Sequence, residues 1–163
     1  MRRWGVLLAA AAVLSCTGPA SRKVEPIATP EASDTCPGGR QSWALDVVDH
    51  RAERDRVDTE RMRTILTDSI KGSFPGCRWE GAASGEPVIR IEVWQFRSTF
   101  LDGLWEARAS WTVEVGHDSR FEVEEGVSRP RYQGSDNEAQ SLRDVFAAAM
   151  QKTNDGLRAV PSR

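Results

Sequence analysis

The chain has 163 residues, of which 22 are basic and 24 acidic, so its formal net charge is −2. Because the charges are nearly balanced and interspersed, no strong positive field exists to recruit nucleic acid or an anionic lipid surface. Six Trp and five Phe residues supply enough apolar surface for a core of fair size. The composition is therefore typical of one globular domain with a tail.

The first residues have the pattern of an export signal. Arg2 and Arg3 precede an uncharged, apolar run over residues 4–14. This run is too short to cross a bilayer, which takes about 20 residues. It ends in the tetrapeptide Val-Leu-Ser-Cys at residues 13–16, which resembles the lipobox of bacterial lipoproteins. The alternative is an ordinary signal peptide in which the cysteine stands by chance.

The lipobox resemblance implies a covalent membrane anchor at Cys16. A peptidase would remove residues 1–15, and Cys16 would carry a diacylglycerol and an N-acyl chain. Each buried methylene contributes about 0.8 kcal/mol, so two or three chains anchor a protein durably. No other cofactor and no metal are expected. Thr17 follows the cysteine, and Gram-negative lipoproteins kept in the inner membrane often have Asp there, so the resemblance implies a periplasm-facing outer-membrane location.

Residues 16–41 are predicted to be a flexible tether, and residues 42–160 a single domain. Pro, Ser, Thr, Ala and Gly dominate the tether, which shows no apolar period. Cys36 and Cys77 are the two remaining cysteines. Export would place them in an oxidising compartment, where a disulfide between them is expected. The alternative is that each packs separately as a small apolar residue.

The domain has alternating and helical patterns in a clear order. Strands are predicted at residues 43–50, 77–80, 87–100, 104–115 and 120–127. A helix is predicted over residues 58–71, with Asp58 and Glu60 in its first turn. A second helix is predicted over residues 135–157, where Ser135 and Glu138 form a capping box. The predicted fold is α+β, a two-layer sandwich in which an antiparallel sheet of three to five strands carries two amphipathic helices on one face.

The hairpin formed by the third and fourth strands has the strongest pattern. Residues 101–103 are predicted to form a three-residue loop with Gly103 in the left-handed conformation. Pairing Phe100 with Leu104 then places Val93 opposite Trp111 and aligns the apolar side chains on one face. Trp94, Phe96 and Leu104 fall on the opposite face. They are candidates for a contact with a partner or lipid, or for cover by a loop or the tether.

These features resemble the small envelope lipoproteins typified by YajG and, more distantly, LptE and the auxiliary lipoproteins of lipid-exporting ABC systems. The resemblance rests on the lipobox, the Asp-His-Arg sequence at residues 49–51, the helix end near residues 72–76, the hairpin at residues 88–115 and the approach to the last helix at residues 131–134. Such proteins are non-enzymatic accessories of envelope assembly or lipid transport. The resemblance therefore implies an envelope protein partner and no catalytic residues.

The sequence contains no established catalytic motif. His50 and His117 are its two histidines, and each is expected to be a polar surface or loop-end residue. Nucleophile elbows, glycine-rich phosphate loops and clustered metal ligands do not occur. The acidic residues at 122, 124 and 125 are expected to be a solvated strand edge and not a calcium site. Two alternatives stay open: a tethered enzyme that uses His50 or His117, and a carrier that holds lipid between helix and sheet.

Overall fold

The computed structural model describes residues 32–39, 41–52, 54, 57–81, 87–130 and 136–162. The residues predicted to be a signal peptide, Cys16 and most of the predicted tether lie outside this part of the chain. The described elements are a 3-10 turn (Pro37–Gly39), β1 (Ser42–Asp49), α1 (Thr59–Ser73), β2 (Arg78–Glu80), β3 (Val88–Leu101), β4 (Leu104–Val115), β5 (Ser119–Pro130) and α2 (Asp136–Arg158).

One sheet contains the five strands in the order β2-β1-β3-β4-β5. The sheet is mixed: β1 pairs in parallel with both β2 and β3, while β3, β4 and β5 are antiparallel. The prediction of a purely antiparallel sheet was therefore wrong at β1. The cause is α1, which returns the chain to the starting end of β1, so that β2 and then β3 run in the same direction as β1.

Both helices supply side chains to a single hydrophobic core. Asp58 caps α1, because its carboxylate accepts a hydrogen bond of 2.8 Å from the backbone N–H of Arg61. The predicted stripes are buried, apart from Ser69, which is half-buried. Fully buried helix residues include Met62, Leu66, Ile70, Leu142, Val145, Phe146 and Ala149. The predicted cap Ser135 lies outside the described residues.

The β3–β4 hairpin has the predicted register near its base and a different one near its tip. Val93 pairs with Trp111, as predicted, but Leu101 and not Phe100 pairs with Leu104. The difference comes from a β-bulge between Val93 and Gln95, which adds one residue to β3. The loop is accordingly two residues long, with Asp102 at φ 50° and Gly103 at φ 80°. Positive φ at both positions is the geometry of a type I′ turn.

Residues 32–39, which the sequence placed in the tether, pack on the domain. Cys36 and Cys77 form a disulfide with their Cα atoms 5.3 Å apart. The backbone N–H of Ser33 donates to the carbonyl of Ser73 at 2.7 Å, and the indole of Trp43 donates to the carbonyl of Pro37 at 3.0 Å. The chain therefore joins the domain at the end of the sheet where β1 begins.

Candidate functional site

The β-bulge determines which side chains leave the core on β3. Trp94 is the extra residue, and 49% of it is exposed on the sheet face away from the helices. Phe96, predicted on that same face, is only 3% exposed. Its ring meets Phe146 of α2 edge-on, with centroids 6.0 Å apart. After Val93 the bulge exchanges the two faces to which successive β3 side chains point. The predicted placement of Phe96 on a partner surface was therefore wrong.

Trp94 and His50 form an aromatic pair next to the bulge. Their rings stack with centroids 4.5 Å apart and planes 15° apart. The Trp94 indole N–H also donates to Thr112 Oγ1 at 3.2 Å, and Thr112 is buried beneath it. His50 is thus held against an apolar ring. This arrangement gives it a packing role.

A buried ion pair secures the loop between β1 and α1. The Arg51 guanidinium donates to both carboxylate oxygens of Asp49, at 2.8 and 2.9 Å, and to the carbonyl of Val57 at 2.8 Å. Thr59 Oγ1 also donates to Asp49 at 2.8 Å. Burial alone would raise the pKa of Asp49, but the hydrogen bonds from Arg51 and Thr59 outweigh it and lower this pKa to about 2.

This ion pair explains part of the Asp-His-Arg sequence at residues 49–51. The Asp49 side chain has no exposed surface and the Arg51 side chain is 2% exposed. The two side chains hydrogen-bond to each other, and they also bond to Val57 and Thr59 at the start of α1. They are therefore structural residues that attach the loop to the helix.

The sheet face away from the helices carries a row of alternating charges. Asp46, Arg90, Glu114 and Arg120 are neighbours across four strands. Arg90 lies 3.0 Å from Asp46, and Arg120 lies 3.3 Å from Glu114. Because each positive group has an acidic neighbour, this part of the face has a balanced, polar surface.

The acidic residues of β5 do not converge on one point. Glu122 and Glu124 are exposed on the sheet face away from the helices, hereafter the open face. Glu125 points to the helix side, where its Oε1 lies 2.5 Å from Nζ of Lys152 in α2. Alternation along the strand separates them. Among the described residues, no group of three or more His, Cys, Asp or Glu side chains is arranged to hold a metal ion.

A cavity of about 220 Å³ lies at the end of the sheet where the chain enters the domain. His117 and Asp118 line it from the β4–β5 turn, and Trp43 and Val160 line it from other elements. His117 is exposed to solvent. His50 lies at the other end of β1, so the structure does not bring the two histidines together.

The tip of the β3–β4 hairpin is an exposed apolar cluster, hereafter the hairpin tip. It consists of Phe100, Leu101, Leu104 and Trp105. Phe100 is 40% exposed, Leu101 55% and Leu104 37%, and the ring of Phe100 packs on that of Trp105 with centroids 5.1 Å apart. Of the predicted partner surface, Leu104 belongs to this cluster, whereas Trp94 lies at the bulge and Phe96 in the core. Leu101 was predicted to lie in the loop, and it was therefore not among the predicted partner residues.

Comparisons with known proteins find distant similarity only. No protein-family model and no curated protein sequence matches the chain. A minor lipoprotein from Acinetobacter baumannii is 13% identical, with 76% of this chain and 96% of that chain covered, at a TM-score of 0.49. A DUF330-family protein from Xanthomonas campestris is 11% identical, with 82% and 94% covered, at 0.47.

A third solved structure is similar at the same level. Lipoprotein GNA1162 from Neisseria meningitidis is 10% identical, with 71% of this chain and 99% of that chain covered, at a TM-score of 0.43. Likeness of this degree does not assign the chain to a family. Neither helix in the described part of the chain combines the length and apolar character that membrane crossing requires.

Proposed function

We propose that the protein is a bacterial lipoprotein that is anchored through lipids on Cys16 and acts in the cell envelope by binding another protein. The observation that carries the proposal is the N-terminal sequence. Two arginines, an uncharged apolar run and the tetrapeptide at residues 13–16 occur in the order and spacing that lipoprotein processing needs. The resemblance to YajG-like and LptE-like lipoproteins belongs to this proposal, as does the outer-membrane location.

Two features of the domain support the proposal. The Cys36–Cys77 disulfide suits an oxidising compartment such as the periplasm. The described chain begins near one end of the sheet, and the 15 residues between Cys16 and residue 32 can extend to about 50 Å. A tether of that length would let the domain stand away from the membrane.

Labelling of Cys16 tests the anchor. Cells that produce the full chain are grown with an alkyne-bearing fatty acid, and the protein is checked for the label and for its membrane fraction. We expect label on the natural chain and none on Cys16→Ser. Cys36→Ser is the matched control, because it removes a different cysteine and should keep the label. An unlabelled natural chain that still carries residues 1–15 would refute the proposal.

Fractionation tests the location. In a Gram-negative host, the natural chain is expected in the outer-membrane fraction, and Thr17→Asp is expected to move it to the inner membrane. Recovery of both forms in the inner-membrane fraction would contradict the outer-membrane part of the proposal.

One observation favours a second candidate function. The cavity that His117 and Asp118 line would accommodate a small ligand, and an exposed imidazole is a competent general base. The second candidate is therefore a tethered enzyme that uses His117. Full biological activity of the His117→Ala variant would eliminate it. A lipid carrier has less support, because fully buried side chains such as Ile91, Met62 and Phe146 fill the interface between helices and sheet.

A further inference from the structure

The sheet ends on one side in a long strand. β5 (Ser119–Pro130) is the last strand in the order β2-β1-β3-β4-β5, and among the described strands it pairs with β4 alone. Its other side, hereafter the free edge, is 12 residues long. A strand edge of this length presents a row of backbone donors and acceptors with which a further strand can pair.

Alternate residues of β5 direct their backbone N–H and C=O groups to the free edge. Lys152 shows which residues these are, because its Nζ donates from α2 to the carbonyl of Glu124 at 3.2 Å. Outward-pointing residues alternate with residues bonded to the neighbouring strand. The backbone groups of Glu122, Gly126 and Ser128 therefore point outward as well. Within the described part of the chain, the contact from Lys152 is the one hydrogen bond that these outward groups form.

Gly126 is a glycine for which the described chain gives no steric reason. It lies within β5, where pairing with β4 is regular, and its φ is not positive. A Cβ atom built on it would meet only the carbonyl oxygen of Ala107, at 3.9 Å, among the described residues. A depression of about 300 Å³ surrounds it. Glycine inside a strand often marks a place where another backbone or a ligand approaches closely, so Gly126 indicates an approach by another molecule.

Two carboxylates follow the free edge on the open face. Glu122 and Glu124 are exposed, and within the described residues neither side chain forms an ion pair or a hydrogen bond. Arg120, two residues before Glu122, lies 3.3 Å from Glu114 instead. A neighbouring strand would place two alternate residues opposite the two carboxylates, with Cβ atoms about 5 Å away. The free edge therefore fits an extended segment with Lys or Arg at alternate positions.

A second copy of this chain is a poor occupant of the free edge. Antiparallel pairing of two β5 strands about their middle would place Glu124 opposite Glu124 or Glu125 opposite Glu125. Like charges in directly opposed positions destabilise a sheet. A shifted register avoids these contacts but shortens the paired segment. The charges of β5 thus favour a strand of a different, basic sequence.

We infer that the free edge binds an extended, basic segment of another envelope protein, which joins the sheet as an additional strand. Two basic side chains of the segment lie opposite Glu122 and Glu124, and a large side chain covers Gly126. In antiparallel pairing the segment has the order large–x–basic–x–basic. A backbone N–H of the segment replaces Lys152 at the carbonyl of Glu124, and Lys152 keeps its ion pair with Glu125. This inference rests on the proposed function and specifies the partner's binding segment.

Site-specific photo-crosslinking tests the free edge in cells of the organism that encodes the chain. A photoreactive phenylalanine analogue replaces Ser128 on the free edge of the full chain, and in the control it replaces Thr64, which is exposed on α1. We expect position 128 alone to give a product with another protein, and the crosslinked peptide, identified by mass spectrometry, to contain two basic residues at alternate positions.

Three crosslinking results would overturn the inference. The first is the absence of a product from position 128. The second is a product with a second copy of this chain or with residues 17–31 of the same chain. The third is a partner peptide without basic residues at alternate positions.

Hydrogen exchange tests the mode of binding in vitro. The probe is the synthetic peptide Thr-Phe-Thr-Lys-Thr-Lys-Thr, added to the full processed chain in detergent, and the control peptide has Glu in place of both Lys residues. We expect the basic peptide to slow amide exchange at Glu122, Glu124 and Gly126, because their outward N–H groups become bonded. Equal effects of the two peptides, or no slowing at these residues, would contradict strand addition.

Substitutions on the free edge make the test specific. Glu122→Lys with Glu124→Lys should weaken binding of the basic peptide by about tenfold or more. Glu60→Lys with Asp68→Lys changes the net charge equally on α1 and should leave the affinity unchanged. Gly126→Val should also weaken binding, because it fills the space of the large side chain, while thermal unfolding shows a domain at least as stable. Unchanged affinity in either free-edge variant would refute the inference.

Fatty-acid labelling of Cys16 in the cells used for crosslinking separates this inference from the proposed anchor. Labelled protein without a product from position 128 refutes strand addition alone. A product from position 128 on unlabelled protein refutes the anchor alone.

Discussion

The buried pair of Asp49 and Arg51 should make the domain sensitive to acid. The pKa of Asp49 is lowered from 3.8 to about 2, so the folded state binds the proton of this carboxyl less readily than the unfolded state. The resulting stability is fully present above about pH 5 and is lost as the pH falls through about 2. From these two pKa values, the loss reaches about 1 kcal/mol at pH 3 and about 2 kcal/mol at pH 2.

Asp49→Asn isolates this contribution from that of the other carboxylates. At neutral pH the substitution leaves the Arg51 charge buried without its counter-ion, so the free energy of unfolding should fall by about 3–5 kcal/mol. On acidification the natural chain loses the Asp49 contribution and the variant has none to lose. The difference between the two proteins should therefore shrink by about 2 kcal/mol between pH 7 and pH 2.

Urea unfolding followed by tryptophan fluorescence measures this difference. The chain from residue 17 onward contains every described element, and unfolding curves are collected at about pH 7, 4, 3 and 2. Asp46→Asn is the matched control, since Asp46 forms a partly exposed pair with Arg90 and should change stability by about 1 kcal/mol or less. A difference between the natural chain and Asp49→Asn that stays constant over this pH range would refute the reasoning.

Three further predictions concern the hairpin and the disulfide. Phe96→Ala should lower the free energy of unfolding by about 3–5 kcal/mol because it empties a buried site, whereas Trp94→Ala should cost clearly less; equal losses in urea unfolding would contradict the bulge. Replacing Cys36 and Cys77 with Ser should cost about 4 kcal/mol, since the disulfide closes a loop with a sequence separation of 41 residues, and the same loss should follow reduction of the natural chain. Gly103→Ala should cost about 1–2 kcal/mol because φ is 80° there, and an unchanged thermal midpoint would argue against the type I′ turn.

Local patterns in the sequence predict most of the elements but not all of their neighbours. The predicted range of β4 is the observed one, and the buried stripe of α2 contains the predicted residues. Alternation and helical spacing are local, so they survive in any fold that buries the same face. The direction of β1 relative to β3 depends on how α1 packs, which no local pattern encodes.

The register of the hairpin shows how two errors can compensate. The sequence predicted a three-residue loop and no bulge, whereas the structure has a two-residue loop and a bulge at Trp94. The predicted loop was one residue too long, and the prediction lacked the one extra residue that the bulge adds to β3. These two errors cancel, so the pairs between the bulge and the base of the hairpin, such as Ile91 with Val113, were predicted correctly. Above the bulge the faces exchange, which moves Phe96 into the core.

The sequence by itself predicted an export signal and an anchor at Cys16, and it determined the amphipathic elements and the cysteine pair, because each depends on neighbouring residues or on composition. Only the tertiary structure decided the parallel placement of β1, the burial of Phe96, the ion pair of Asp49 with Arg51 and the apolar hairpin tip. These features depend on which groups meet after packing. The same local patterns permit other ways of packing the strands and helices. The observed packing is selected because it fills the interior without voids and pairs the buried charges.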